Sequence, residues 1–169
     1  MRESSYLEGN NQIVAVLKQL QAFKSFTDDG LQKLLKLSKI RTFTPDEVII
    51  KEGVHENIMY VLISGSVNIS KDNKKILNLK RTGDIFGEMS LLDEEPRSAT
   101  VTAESETSCL VLDAEYLESL TSDGKESFHA AIYQMFAQIL AFRLRLTTEK
   151  YIHANQEIER LKKELALLK

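Results

Sequence analysis

The chain has 169 residues, of which 43% are hydrophobic and 28% are charged, and this composition is typical of one globular domain with a sizeable core. Its net charge of −3 argues against nonspecific nucleic-acid binding, and its single cysteine, Cys109, excludes an intramolecular disulfide or a cysteine metal cluster. No apolar run approaches the roughly 18 residues of a membrane span, and the N-terminus lacks the apolar core of a signal peptide, so we expect a cytoplasmic protein.

Residues 1–38 are predicted to form an N-terminal helical segment. Apolar residues recur at helical spacing around Val14 and Leu17, and again around Leu31 and Leu34. Between these two stripes, Thr27 or Asp28 is a candidate N-cap for the second helix.

Residues 39–112 change to short apolar runs separated by turn residues. The predicted strands are residues 39–44, 48–51, 59–70, 75–79, 98–103 and 108–112. Turns are predicted at Pro45-Asp46, Gly53, Asp72-Asn73 and Gly83-Asp84. Many short strands in so little chain indicate a small antiparallel β-roll or barrel.

Residues 113–169 return to helical periodicity. A short helical segment over residues 113–120 precedes a long helix from about residue 125 to 168, which contains no proline and no internal glycine. A second face of this helix, which includes Ile132, Met135, Phe136, Ile139, Phe142 and Leu146, is predicted to pack on the roll.

The long helix also carries a regular apolar seam whose positions alternate in steps of four and three. The seam consists of Tyr133, Ala137, Leu140, Leu144, Thr147, Tyr151, Ala154, Ile158, Leu161, Leu165 and Leu168. Such a heptad pattern indicates a coiled-coil homodimer. In a parallel arrangement, Glu157 would face Lys162 of the partner subunit and Glu164 would face Lys169 of the partner subunit. The alternative is a single long helix whose remaining faces are in solvent.

The segment from residue 86 to 101 is the most informative part of the sequence. Gly87 permits close approach of a ligand to the backbone, and Glu88 can accept a hydrogen bond from a hydroxyl group. Arg97, nine residues after Glu88, can donate two parallel bonds to a phosphate. A phosphate beside a hydroxyl indicates a ribose phosphate. The alternative is a surface Glu–Arg pair without a function.

This segment resembles the phosphate-binding cassette of the cyclic-nucleotide-binding domains, in which Gly87, Glu88, Pro96, Arg97 and Ala99 fall at family spacing. The resemblance extends over roughly residues 20–155 and is nearest to the sensor half of the bacterial catabolite-activator-type regulators. It implies an α+β fold: N-terminal helices, an antiparallel jelly-roll-like β-roll and a long C-terminal dimerisation helix. It also implies that Glu88 holds the ribose 2′-hydroxyl and that Arg97 holds the phosphate.

The resemblance further assigns base contacts to the long helix. Residues 142–150 resemble the central helix of the catabolite activator, where two adjacent hydroxyl residues contact adenine, one of them from the partner subunit. It therefore implies this role for Thr147 and Thr148. The expected ligand-binding set is Phe86, Gly87, Glu88, Met89, Ser90, Arg97, Ser98, Ala99, Val101, Thr147 and Thr148.

The expected ligand is cyclic AMP, because Ser98 and the threonine pair match the cyclic-AMP-responsive members, although the Ser98 hydroxyl could also bond a guanine amino group. A cyclic-GMP site or a ligand-free dimerisation module of a larger signalling protein is the alternative. No enzyme activity, cofactor or metal is expected, because the three histidines, His55, His129 and His153, lie on separate elements. The heptads continue to Lys169, and nothing after the helix could enter a DNA groove, so we expect no direct DNA binding by this chain. The lack of a long apolar run leads us to expect no membrane association. The output comes either from separate partners of a stand-alone sensor or from a fused domain, and a coiled coil that ends in register favours the fused domain.

Overall fold

The computed structural model describes residues 2–3, 11–89, 95–113 and 125–167. Its elements in chain order are β1 (Arg2–Glu3), α1 (Asn11–Gln19), a 3-10 turn (Gln21–Phe23), α2 (Asp28–Lys36), β2 (Ser38–Phe43), β3 (Val48–Ile50), β4 (Ile58–Ser64), β5 (Val67–Lys71), β6 (Lys74–Leu79), β7 (Ile85–Phe86), β8 (Thr100–Ala103), β9 (Thr107–Asp113) and α3 (Lys125–Leu167). The predicted α+β class, with a roll between helical segments, is confirmed.

The strands form two antiparallel sheets, one in the order β1-β2-β9-β4-β7 and the other in the order β3-β8-β5-β6. Asp72 and Asn73 join β5 to β6 with positive φ angles of 50° and 61°, as a two-residue hairpin turn of the primed type requires. Asp46 also adopts a positive φ, 65°, in agreement with its predicted turn.

Two buried clusters lie on opposite faces of the five-stranded sheet. The cluster between the sheets contains Tyr60, stacked on Phe86 with ring centroids 5.2 Å apart. The other joins Met59 and Leu110 of the sheet to residues of α1, α2 and α3. Strands β4 and β9 are therefore covered on both sides, which explains why their apolar runs are nearly continuous rather than alternating.

The N-terminal half of helix α3 contacts the body of the protein. Three of its apolar residues are buried in the cluster that joins the five-stranded sheet to the helices, as predicted: Ile132, Met135 and Phe136. The prediction for Phe142 is wrong, because half of this side chain is exposed. A helix of 43 residues is about 65 Å long, far longer than the body that it packs on, so its later turns extend into solvent.

The sequence predictions differ from the structure at several other elements. The strand predicted over residues 59–70 is two strands, because the chain turns at Gly65 with a φ of 89° and with the backbone of Glu106 too close for any Cβ. Strands β1 and β7 were not predicted, since each has only two residues. Asp113 belongs to β9 rather than to a helix, and the rest of the predicted segment 113–120 lies outside the described residues.

Thr27 is the N-cap of α2, and its hydroxyl accepts from the N–H of Gly30.

Candidate functional site

A cavity opens between the roll and α3. Its lining comes from strands β3, β5, β7 and β8, the segment after β7, the segment before β8, and α3. The lining residues are Ile50, Ile69, Phe86, Gly87, Glu88, Met89, Glu95, Pro96, Arg97, Ser98, Ala99, Val101 and Arg143. The structure thus brings together eight of the eleven predicted site residues, while Ser90 lies outside the described part of the chain.

Gly87 shapes the floor of this cavity. Its φ of 79° is in the left-handed region, and a Cβ at this position would lie 2.9 Å from the carbonyl oxygen of Ile58 and 3.0 Å from Nη1 of Arg97. Any larger residue would displace the Arg97 side chain, so the glycine is needed for the close approach of that guanidinium to the backbone.

The Arg97 side chain is almost fully buried, with 4% of the residue exposed. Its Nη1 donates to the carbonyl of Gly87 at 2.7 Å, and its Nη2 donates to the carbonyl of Ile58 at 2.6 Å. The Glu56 carboxylate lies 3.9 Å from Nη2. Burial lowers the pKa of the Arg97 guanidinium, but an arginine retains its charge in proteins, so a fixed positive charge lies at the cavity floor.

The main chain of Arg97 is held equally firmly by the loop between β3 and β4. The N–H of Arg97 donates to the carbonyl of Val54, and the N–H of Gly53 donates to the carbonyl of Arg97, both at 2.9 Å. One residue earlier, the N–H of Glu52 donates to Oγ1 of Thr100 at 3.1 Å. These bonds position the arginine before any ligand binds.

Glu88 is the second charged group of the cavity, and it is fully buried. Its Oε1 accepts from Nη1 of Arg143, whereas its Oε2 has no hydrogen-bond partner among the described residues. A buried carboxylate oxygen without a donor is energetically unfavourable, by about 1–3 kcal/mol or more. This oxygen can therefore accept a hydrogen bond from a donor group on a ligand.

Arg143 is a site residue that the sequence predictions missed. It lies on α3, donates to Glu88 and to the carbonyl of Ile85, and so joins the helix to the cavity. The sequence did contain an indication of this role, because Arg143 lies one turn before Thr147 in the segment that resembles the central helix of the catabolite activator. Side chains four apart share a helix face, so the arginine could have been assigned to the site together with the threonine.

The predicted base contacts are not part of the cavity. Thr147 and Thr148 are exposed on α3, one turn beyond Arg143, and do not line the site. Ser98 and Met89 lie at its rim, where Oγ of Ser98 donates to Sδ of Met89 at 3.8 Å. The role of both threonines in binding the base stays a prediction.

The buried polar groups of the cavity suit an anion that also carries a hydroxyl group, because Arg97 is a buried cation and Glu88 a buried acceptor. Arg143 and Glu95 are the other charged residues of the lining. The apolar side chains of Ile50, Ile69 and Val101 cover the wall. Among the described residues, no group of His, Cys, Asp or Glu is arranged to hold a metal ion. Within the same ranges, no helix is both long and apolar enough to span a bilayer.

Comparison with known proteins relates part of this chain to a known family. Residues 40–123 match the family model described as a cyclic nucleotide-binding domain. A cGMP-dependent protein kinase of Eimeria tenella is 36% identical over 109 residues, which cover 64% of this chain and 10% of the kinase. A cAMP-dependent protein kinase regulatory subunit of Debaryomyces hansenii is 36% identical over 87 residues, which cover 52% of this chain and 19% of the subunit.

A solved structure of the same fold is the catabolite activator protein of Thermus thermophilus. It superposes with a TM-score of 0.63 at 26% identity, over 77% of this chain and 61% of that one. The chain therefore spans about a tenth to a fifth of the length of the two kinase relatives and somewhat under two thirds of the activator.

Proposed function

Residues 40–123 belong to the cyclic nucleotide-binding domain family, and we propose that the chain is a sensor that binds cyclic AMP in the roll and signals through a dimer of α3. In this proposal it is a binding module rather than an enzyme. The output domain is either fused to it or a separate partner.

The observation that carries the proposal is the pairing of two fixed groups in one cavity. Arg97 presents a buried positive charge, and Oε2 of Glu88 is a buried acceptor without a donor. A cyclic ribose phosphate offers an anionic phosphate and a free 2′-hydroxyl on one rigid ring system. The phosphate would bind the guanidinium, and the hydroxyl would donate to the carboxylate.

Arg143 provides a physical link from this site to the helix. It holds Oε1 of Glu88, while the ligand hydroxyl would take Oε2 of the same carboxylate. A ligand hydroxyl that donates to Oε2 draws negative charge away from Oε1, and this changes the strength of the contact between Glu88 and Arg143. Because a ligand shifts a conformational equilibrium by its differential affinity for the two states, this shared carboxylate couples binding to the position of α3.

The exposed seam of α3 supports the proposed dimer. Its apolar members lie largely in solvent in the single chain, among them Tyr133, Leu144, Tyr151, Leu161 and Leu165. So many large apolar side chains in one heptad register are typical of a face that a second copy covers. A parallel orientation would let Glu157 face Lys162 of the partner subunit; in the single chain these two residues pair with Arg160 and Glu159.

The same heptad register would bring the partner subunit to the nucleotide site. The five-residue offset that pairs Glu157 with Lys162 of the partner subunit also pairs Arg143 with Thr148 of the partner subunit. Since Arg143 contacts the carboxylate of the cavity, a hydroxyl from the second chain would lie near the ligand. Thr147 would contribute from the seam itself, so that the two threonines contact a base that projects from the cavity mouth.

Cyclic GMP is the second candidate ligand. The relatives include a kinase named for cyclic GMP, 36% identical over 109 residues, and a kinase subunit named for cyclic AMP, 36% identical over 87 residues. Ser98 and the threonine pair favour cyclic AMP, whereas the Ser98 hydroxyl at the rim could also accept from the guanine amino group.

Thermal unfolding with cyclic AMP, with cyclic GMP and without ligand separates these proposals. A ligand that binds only the folded protein raises the midpoint by mass action, so we expect the larger rise with cyclic AMP. A larger rise with cyclic GMP would reverse the ligand assignment. No rise with either, together with a concentration-dependent midpoint, would favour a ligand-free dimerisation module.

The proposed base contacts have their own test, in which Thr147 and Thr148 are both replaced with alanine. Each lost neutral hydrogen bond should weaken cyclic AMP binding by about 1 kcal/mol. The informative quantity is the ratio of the cyclic AMP and cyclic GMP affinities, measured by calorimetry. An unchanged ratio would move base selection elsewhere, with Ser98 as the next residue to test.

A further inference from the structure

Among the described methionines, one is exposed, and it lies at the ligand cavity. The sequence contains four methionines, and two of the described ones, Met59 and Met135, are fully buried. Met89 differs, with 43% of the residue exposed and a place in the cavity lining. A solvent oxidant therefore has access to the Met89 side chain and is excluded from the other two.

The cysteine does not compete for such an oxidant. Cys109 is buried between the sheets, and burial raises the pKa of its thiol to about 12. Oxidants react with the thiolate rather than with the thiol, and almost no thiolate forms at neutral pH. Within the described residues, Met89 is thus the exposed, reactive sulfur of the chain.

The Met89 sulfur also has a specific neighbour in the site. It accepts the Ser98 hydroxyl at 3.8 Å, and Ser98 follows Arg97 directly and lines the same cavity. A thioether is a weak acceptor, so this hydroxyl is readily given up to a better one. An anionic phosphate on Arg97 would be such an acceptor.

We propose that Met89 is an oxidation site at the cavity mouth, and that its conversion to the sulfoxide by a peroxide weakens nucleotide binding. In the reaction, a sulfur electron pair attacks one peroxide oxygen, the O–O bond breaks, an S–O bond forms, and water leaves after proton transfer. The sulfur is oxidised by two electrons, and hydrogen peroxide is reduced to water. The effect on binding, unlike the oxidation itself, rests on the function proposed above.

The sulfoxide acts on the ligand in two ways. Its oxygen is a far stronger acceptor than the thioether, so it retains the Ser98 hydroxyl that would otherwise donate to the phosphate. The same oxygen carries the negative end of a bond dipole, and it replaces an apolar contact at the point where an anion must enter. A bound nucleotide would in turn cover Met89 and slow its oxidation.

The test combines peptide mapping with calorimetry after limited treatment with hydrogen peroxide. We expect the added oxygen on Met89, ahead of Met59 and Met135, and a slower reaction when cyclic AMP is present. Affinity for cyclic AMP should fall about tenfold, as for loss of one hydrogen bond to a charged group. Treatment with methionine sulfoxide reductase should restore it.

Each protein serves as its own control, because affinity is compared before and after peroxide. For Met89→Leu, the affinities before and after peroxide should be nearly equal, whatever the starting affinity. For Ser98→Ala, peroxide should lower the affinity less than it does for the unmodified sequence. Equal oxidation of Met59 and Met135, or undiminished binding by protein oxidised at Met89, would overturn the inference. If untreated protein binds neither cyclic nucleotide, both the proposed function and the predicted effect on affinity are wrong. The peptide map would still show whether Met89 is the oxidised residue.

Discussion

Replacement of Arg97 with alanine is the perturbation whose outcome the structure defines most fully. The guanidinium is buried, and its two Nη atoms donate to the carbonyls of Gly87 and Ile58 at 2.7 and 2.6 Å. Truncation removes the positive charge of the cavity floor together with both of these bonds. It therefore acts on ligand affinity and on the stability of the free protein, and the two effects have different sizes.

The effect on affinity should be the larger one. A bond from a charged donor to a phosphate oxygen is worth about 1.5–3 kcal/mol, so the loss of one or two corresponds to a weakening of roughly tenfold to more than a hundredfold. Stability should fall less, by about 1–2 kcal/mol, because water entering the open cavity can hydrate the two abandoned carbonyls. Burial of the charged guanidinium is itself unfavourable, as its lowered pKa indicates, so its removal offsets part of the loss of stability.

Calorimetric titration with cyclic AMP and thermal unfolding of the free protein measure the two effects separately. Arg97→Lys should bind with intermediate affinity, because an ammonium keeps the charge but lacks the planar fork. Arg81→Ala, at an exposed position after β6, controls for the change in net charge and should bind as the unmodified protein does. Unmodified affinity in the folded Arg97→Ala protein would refute the assignment of the phosphate to this arginine.

Three further outcomes follow from the structure. Arg143→Ala leaves the buried carboxylate of the site without its cation, so the midpoint of unfolding should drop by the equivalent of about 1–3 kcal/mol, whereas the exposed Arg145→Ala should change it little. Leu161→Lys combined with Leu165→Lys places like charges in the seam and should convert the proposed dimer to monomer in sedimentation, and an unchanged dimer would argue against the heptad interpretation. Cys109, with a thiol pKa of about 12, should resist iodoacetamide at pH 8 in the native protein and react once unfolded; rapid labelling of native protein would contradict its burial.

The features that the sequence predicted well are local ones. The apolar runs of β4 and β9, the turn at Asp72-Asn73 and the cap at Thr27 each follow from short-range chemistry, and the structure has all of them. The cavity residues on the roll were also predictable, because Gly87, Glu88 and Arg97 stand in a short motif. All three lie in the connection between β7 and β8, so a short stretch of sequence contains them.

The features that the sequence predicted poorly depend on long-range packing. Strand β7 has two residues and exists because it pairs with β4, which no local pattern reveals. Arg143 lies 55 residues from Glu88 in sequence, so their ion pair depends on how α3 docks on the roll. Phe142 is half exposed although the next residue, Arg143, still contacts the roll, so its exposure depends on which face of α3 meets the body.

The most direct test of a ribose phosphate site is a comparison of cyclic AMP with 2′-deoxy cyclic AMP in calorimetric titrations of the unmodified protein. The deoxy ligand keeps the base and the phosphate but cannot donate to Oε2 of Glu88, which then stays buried without a partner. A site built to accept a hydroxyl rejects the analogue that lacks it, so cyclic AMP should bind tighter by at least about tenfold. Equal affinities, or no measurable binding of cyclic AMP, would contradict the assignment.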